Sequence, residues 1–138
     1  MNCEILLLDH PRPFYHERRN DVANAPLSAS LNIPYALAIA HRHHRHVAYL
    51  DFLHQPEPVA AMIEQVLGHE PRVLLIHWVY TWDDCRDVRR FIQTIKQAKP
   101  ELIIGVFGLF PTFARELLFE LVPELDLILP GEFEGALE

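Results

Sequence analysis

The segment VLLIHWVYTWDDCRDVRRFIQTIKQAKPELIIGVF, residues 73–107, decides the fold. Its two ends are short apolar runs, which are typical of strands buried on both faces. Between them, residues 82–98 place apolar side chains at spacings of three and four, which predicts an amphipathic helix that ends before Pro100. A strand, a helix and a second strand in this order indicate a crossover between parallel strands. The segment therefore predicts an α/β protein.

The same alternation extends over the rest of the chain. Further strands are predicted at residues 3–9, 47–52 and 125–129, and further helices at residues 35–42 and 58–67. Thr112 is expected to cap another helix, and a final helix is expected to begin near Glu132. We therefore expect one domain, a three-layer, doubly wound, flavodoxin-like sheet of five parallel strands with helices on both faces. The sequence leaves the strand order open.

Composition narrows the class of protein. Of the 138 residues, 50% are hydrophobic and 22% are charged, which excludes a disordered tail. The formal charge of −7 argues against nucleic acid or an anionic membrane as a partner. Cys3 and Cys85 lie far apart, which indicates a reducing compartment and excludes a self-contained zinc ribbon. Without a secretion signal or an apolar run long enough to span a membrane, the chain is expected to be cytoplasmic.

The loops after the strands exclude several families with this architecture. The sequence DHPRP after the first strand lacks the glycines of a dinucleotide-binding turn, a P-loop or a flavodoxin phosphate loop. A phospho-receiver needs an acidic pair there and a lysine after the last strand, whereas Asp9 stands alone and Pro130-Gly131 follow the fifth strand. The long connection at residues 10–33 is a candidate lid or binding loop, with a disordered excursion as the alternative.

Six short segments, taken in order, resemble a known family. They are ILLLDHPRP, IPYALAIA, HVAYLDF, VLLIHW, PELIIGVFGLFPT and LDLILPGEFE, and they are spread over essentially the whole chain. This order resembles the cobalamin-binding domain found ahead of radical S-adenosylmethionine enzymes. In that family a Gly-Gly pair and a His-Pro-Thr-like turn follow the fourth strand, and Gly-Glu-x-Glu follows the fifth. Residues 107–112 and 131–134 occupy those places here.

The resemblance implies that cobalamin lies on the loops at the carboxyl edge of the sheet. It implies no catalytic residue and no metal ligand in this chain, which alone would not be an enzyme. The 4Fe-4S cluster and S-adenosylmethionine would belong to a downstream radical domain, and the chain looks cut at the start of its fifth helix. The cofactor-binding residues implied are His10, Pro11, Trp78, Tyr80, Thr81, Gly108, Leu109, Thr112, Gly131 and Glu132.

The departures from this family leave alternatives open. The Asp-x-His-x-x-Gly motif that supplies a cobalt ligand is not met after Asp9, so His10 is a cobalt ligand, a corrin contact or an exposed loop histidine. Trp78 points toward either the core or the cofactor, and Phe107 replaces the first glycine of the Gly-Gly pair. Such bulky side chains favour an alternative function, a degenerate interaction or docking module that binds no cobalamin. A binder of another tetrapyrrole is a third possibility.

Two further clusters invite a chemical interpretation. Histidines are dense over residues 41–46, which suggests a metal site. The run lies between a helix and the second strand, at the amino edge of the sheet, so a surface or structural role is expected. Glu132 and Glu134 are two residues apart and do not face each other on a helix, so they are expected to place favourable charge at a helix N-terminus.

Overall fold

The computed structural model of the protein describes residues 3–10, 31–43, 46–52, 58–78 and 85–137. Within these ranges, strands and helices alternate, and every strand pair is parallel, in the order β2-β1-β3-β4-β5. The predicted flavodoxin-like α/β fold is confirmed. The elements are β1 (Ile5–Asp9), α1 (Asn32–Arg42), β2 (Val47–Asp51), α2 (Val59–Gly68), β3 (Val73–His77), α3 (Cys85–Ala98), β4 (Ile103–Phe107), α4 (Leu109–Leu121), β5 (Leu127–Leu129) and α5 (Glu134–Leu137).

The sheet separates two hydrophobic cores. Successive side chains of a strand point to opposite faces, so Leu6 and Leu8 of β1 lie in one core and Ile5 and Leu7 in the other. Helices α2, α3 and α4 cover the first core, and α1 and α5 cover the second. Because each central strand is buried on both sides, its sequence is an almost continuous apolar run.

Several predicted boundaries are wrong by a few residues. The first strand begins at Ile5 and not at residue 3, and the fifth strand covers only Leu127–Leu129. Thr112 is not a helix cap, because α4 begins at Leu109 after Gly108, and the Thr112 hydroxyl donates to the Gly108 carbonyl one turn back. Residues 82–84 of the predicted third helix and residues 11–30 of the long connection lie outside the described ranges.

A polar anchor holds β5 on β4 at the amino edge of the sheet. Asp126 Oδ2 accepts a hydrogen bond from the Ile104 amide at 2.7 Å. The same oxygen forms an ion pair with Lys96 Nζ at 2.7 Å. The Asp126 amide in turn donates to the Ile104 carbonyl at 2.9 Å. The anchor aligns the short strand β5 with its longer neighbour β4. Helix α4 is the crossover connection from β4 to β5.

Candidate functional site

Polar side chains of three neighbouring strands meet near the carboxyl edge of the sheet. Asp9 ends β1 and His77 ends β3, and the two residues are partners in the parallel register. His77 Nδ1 lies 2.7 Å from Asp9 Oδ1, and the Tyr49 hydroxyl of β2 donates to Asp9 Oδ2 at 2.8 Å. Asn32 Nδ2, at the start of α1, lies 3.2 Å from His77 Nε2. The network joins three strands and one helix.

The hydrogen bonds of this network suit one tautomer of His77. A carboxylate only accepts hydrogen bonds, so one oxygen of Asp9 accepts from the Tyr49 hydroxyl and the other accepts from the Nδ1–H of His77. Nε2 is then the acceptor that faces the amide nitrogen of Asn32. Burial, followed by the hydrogen bond to Asp9, raises the pKa of Tyr49 above its ordinary value, so its hydroxyl stays protonated and keeps donating.

Aromatic rings and backbone enclose His77. Its ring centroid lies 5.0 Å from that of Phe107, which in turn packs 4.8 Å from Phe133. A Cβ atom placed on Gly108 would come within 2.8 Å of the Trp78 carbonyl oxygen and 3.1 Å of the His77 ring. Since His77 and Asp9 are each 3% exposed, the network stabilises the strand ends and is not open to a substrate.

Two of the residues that the resemblance places on the cofactor platform, His10 and Trp78, are buried in the structure. His10 is 6% exposed and meets the Phe91 ring edge-on at 6.2 Å, so the interpretation as an exposed loop histidine is wrong. Trp78 is fully buried in the core, where its ring centroid lies 5.1 Å from that of Phe110. Pro11, Tyr80 and Thr81 lie outside the described residues.

The other predicted site residues lie around the start of α4 and the end of β5. Gly108 adopts φ +116° where the chain turns from β4 into α4, and Leu109 is exposed beside it. The Thr112 hydroxyl accepts the Gly131 amide at 2.9 Å and so ties this turn to the one after β5. Glu132 is exposed just before α5. The ligand contacts that the resemblance implied for all these site residues stay predictions.

Helix α4 presents a large apolar surface. Leu118 of the helix and Val122, directly after its end, are buried in the core. Other large apolar side chains of the same helix are on the outside. The exposed fractions are 56% for Leu109, 79% for Phe113, 51% for Leu117, 42% for Phe119 and 38% for Leu121. The sequence carried a signal for this surface, because residues 109–121 contain more large apolar residues than one stripe facing the core needs.

The described residues of the histidine-rich run, 41–43 and 46, lie at the amino edge of the sheet, as expected. His41 is in the last turn of α1, and the carbonyl of His46 accepts the amides of Glu4 and Ile5 at 2.8 and 3.2 Å. Within the described ranges, no group of three or more His, Cys, Asp or Glu side chains is arranged to hold a metal ion. None of the helices in the described part of the chain has the length and apolar character needed to cross a membrane.

Comparison with known proteins supports the fold and corrects the predicted function. No protein-family model and no curated protein matches the chain. A similar solved structure is the isolated REC domain of RcsB from Salmonella enterica serovar Typhimurium, in the presence of phosphomimetic BeF3−. It is 15% identical, has a TM-score of 0.51, and the alignment covers 96% of this chain and 79% of that one. At this identity the likeness shows the fold alone.

The predicted membership of the cobalamin-binding family is wrong. The similar fold is that of a receiver domain and not of a cobalamin-binding domain, so cobalamin carriage for a downstream radical S-adenosylmethionine domain is not supported. Metal binding likewise has no support among the described residues. The packing gives a physical reason, because Trp78 and Phe107 are 0% and 1% exposed and fill the ends of β3 and β4 with side chains. The alternative, an interaction module of the same fold, fits these findings better.

Proposed function

We propose that this protein is a receiver-like domain that works by docking another protein on helix α4. The observation that carries the proposal is the exposed apolar surface of α4, where Phe113 is 79% exposed and Leu117 is 51% exposed. Contiguous apolar surface on a soluble domain marks interaction sites. The fold shared with the REC domain of RcsB supports a receiver-like domain in preference to a cobalamin-binding one.

The carboxyl edge supports docking in preference to phosphoryl acceptance. The structure of the RcsB REC domain was determined in the presence of phosphomimetic BeF3−. To accept a phosphoryl group in the same way, this chain would need an accessible carboxylate at the carboxyl edge. In this protein Asp9 is 3% exposed, and both of its carboxylate oxygens have hydrogen-bond partners. His10 follows Asp9 where a second acid would be needed, and Pro130 follows β5 in place of a lysine. We therefore expect the domain to respond to a partner and not to an aspartyl phosphate.

The way α4 is held makes its outer side a stable platform. Leu118 and Val122 lie in the core, and the Thr112 hydroxyl links the first turn to the β5–α5 connection. Burying a phenylalanine or leucine side chain against a partner contributes about 1.5–3 kcal/mol. Since about 1.4 kcal/mol is a tenfold change in affinity, Phe113 alone is expected to change partner affinity tenfold or more.

A peptide panel tests the docking function. The probes are short helical peptides with one leucine face and with lysine, glutamine or glutamate on the other face, titrated by fluorescence anisotropy. At least one peptide is expected to bind, and Phe113→Ser is expected to weaken it at least about tenfold. Tyr35→Ser, on a 63% exposed residue of α1, is the matched control and should bind as the wild type does. Circular dichroism checks that both variants fold.

Two results would contradict the docking function. One is equal weakening by Phe113→Ser and Tyr35→Ser, because binding would then have no preference for α4. The other is the failure of every peptide to bind, together with sedimentation showing a monomer, because α4 would then bind neither a helix nor a second copy.

A further inference from the structure

We infer that the partner of α4 is a cationic amphipathic helix, with an apolar face bordered by lysine or arginine; this rests on the proposed docking function. The first observation is the distribution of charge. Residues 109–134 contain six acidic residues and one basic residue, so about a fifth of the chain holds five of its seven net negative charges. The helix that exposes apolar side chains therefore lies in an acidic segment of the chain.

The acidic and apolar side chains of α4 lie in adjacent rows. Leu117 and Leu121 are four residues apart and so are neighbours along the helix surface, and both are exposed. Glu116 and Glu120 are likewise four residues apart and exposed, and Glu120 lies three residues after Leu117, which makes the two rows neighbours on the helix surface. A helix that packed its apolar side chains on the leucine row would bring its flanking residues next to this glutamate row.

The glutamates of this row have no cation to balance them among the described residues. The acids that follow α4 are paired, Glu124 with Arg89 at 3.7 Å and Asp126 with Lys96 at 2.7 Å. No ion pair in the described ranges uses Glu116 or Glu120. The row is therefore available to cations of a partner.

The one base of the helix is turned toward its own backbone. Helix α4 bends at Arg115, whose φ is +31°, and Arg115 Nε donates to the Thr112 carbonyl at 3.2 Å. The part of α4 after the bend therefore presents Glu116 and Glu120 without a competing cation on the same row.

Charge also argues against a second copy of this chain as the occupant. A two-fold interface places the same surface on both sides, so the Glu116 and Glu120 rows would approach each other. Like charges across an interface disfavour association, whereas a cationic helix gains from the same field. Apolar contact and charge thus select the same kind of partner.

The test uses the whole chain and three helical peptides with an identical leucine face. Their polar faces consist of lysine, glutamine or glutamate. The lysine peptide is expected to bind at least about tenfold more tightly than the glutamate peptide at low salt, and the difference should shrink in 0.5 M NaCl, where the screening length falls to roughly 4 Å. The double variant Glu116→Lys/Glu120→Lys should remove the preference. The matched control Glu64→Lys/Glu101→Lys makes the same change in net charge at exposed sites away from α4 and should retain it.

Each other outcome overturns a stated part. Equal binding of the lysine and glutamate peptides, with loss in Phe113→Ser, overturns the cationic partner and leaves docking intact. Equal loss in the control charge variant overturns it too, because net charge alone would then explain the preference. Self-association that Phe113→Ser abolishes makes the occupant a second copy, which overturns the inference alone. No binding by any peptide and no self-association overturns the inference and the docking function together.

Discussion

Replacing Gly108 by alanine is expected to destabilise the fold by about 3 kcal/mol. Gly108 has φ +116° and ψ −166°, a region that costs a residue with a Cβ about 1–3 kcal/mol. The new Cβ would also lie 2.8 Å from the Trp78 carbonyl oxygen. Because the contacted atom is backbone and not the end of a flexible side chain, the overlap can be relieved only by a shift of the main chain. Overpacking of this kind adds about 1–3 kcal/mol.

Two other glycines separate strain from steric overlap. Gly131 has φ +71° and no atom within 4 Å of an added Cβ, so Gly131→Ala is expected to cost only the backbone strain, about 1 kcal/mol. Gly68, the last residue of α2, has neither a positive φ nor a close neighbour. Gly68→Ala is therefore expected to be neutral, or to stabilise the protein by up to about 1 kcal/mol.

Urea unfolding, followed by far-ultraviolet circular dichroism, measures the three free energies of unfolding under one condition. The difference of about 2 kcal/mol between Gly108→Ala and Gly131→Ala measures the overlap of the new Cβ with the Trp78 carbonyl and the His77 ring, together with any difference in backbone strain between the two positions. A domain of this size has about 5–15 kcal/mol of stability, so all three variants should still fold. If Gly108→Ala unfolds at the same urea concentration as Gly131→Ala, the close passage of the β4–α4 turn over β3 is refuted.

Other expectations concern the hydrogen bonds of the sheet. Tyr49→Phe leaves one oxygen of the buried Asp9 carboxylate without its donor and is expected to cost about 2 kcal/mol in urea unfolding, whereas Tyr35→Phe, at an exposed position, should cost nothing measurable. Above pH 10 the raised pKa keeps the Tyr49 hydroxyl protonated in the folded protein, whereas the unfolded chain loses this proton. The contribution of the hydroxyl to stability is therefore complete below pH 10 and is lost progressively as the pH rises above 10 toward the pKa of the folded state. Stability measured from pH 8 to 11 should fall less in Tyr49→Phe than in the wild type. Asp126→Asn weakens the bonds to the Ile104 amide and to Lys96 and should cost about 1–2 kcal/mol, and unchanged urea midpoints would show that β5 needs no anchor.

Much of the fold could be predicted because the central strands are buried on both faces, which makes their sequences almost entirely apolar. Leu6 and Leu7 are each no more than 1% exposed although they face opposite sides, and only apolar residues suit both positions. The pattern fails where an apolar residue precedes its strand. Leu125 is buried in the core before β5 begins, and an apolar run cannot distinguish that position from a strand residue. The start of α4 was missed because the backbone conformation of Gly108, and not a side-chain cap, begins the helix.

The hydrogen-bond network around Asp9 and His77 could not be predicted, for a different reason. Asp9 and His77 are 68 residues apart, and their contact depends on β1 and β3 being neighbours, which the sequence leaves open. The usable signal was that the strands β1 and β3 each end in a polar residue, because neighbouring parallel strands in this register place those two residues side by side. For Trp78 the sequence left two alternatives open, the core or the cofactor, and the structure places its side chain in the core.

The two outermost strands limit how copies of this protein can aggregate. An edge strand offers unpaired backbone groups to which another chain can add a strand. Strand β5 is only three residues long and is followed by Pro130, whose ring nitrogen donates no hydrogen bond. Strand β2, at the opposite edge, ends at the charged residue Asp51. Growth of the sheet from molecule to molecule is therefore disfavoured at β5 by length and at β2 by charge, and a mutation that lengthened β5 would be expected to favour fibrils.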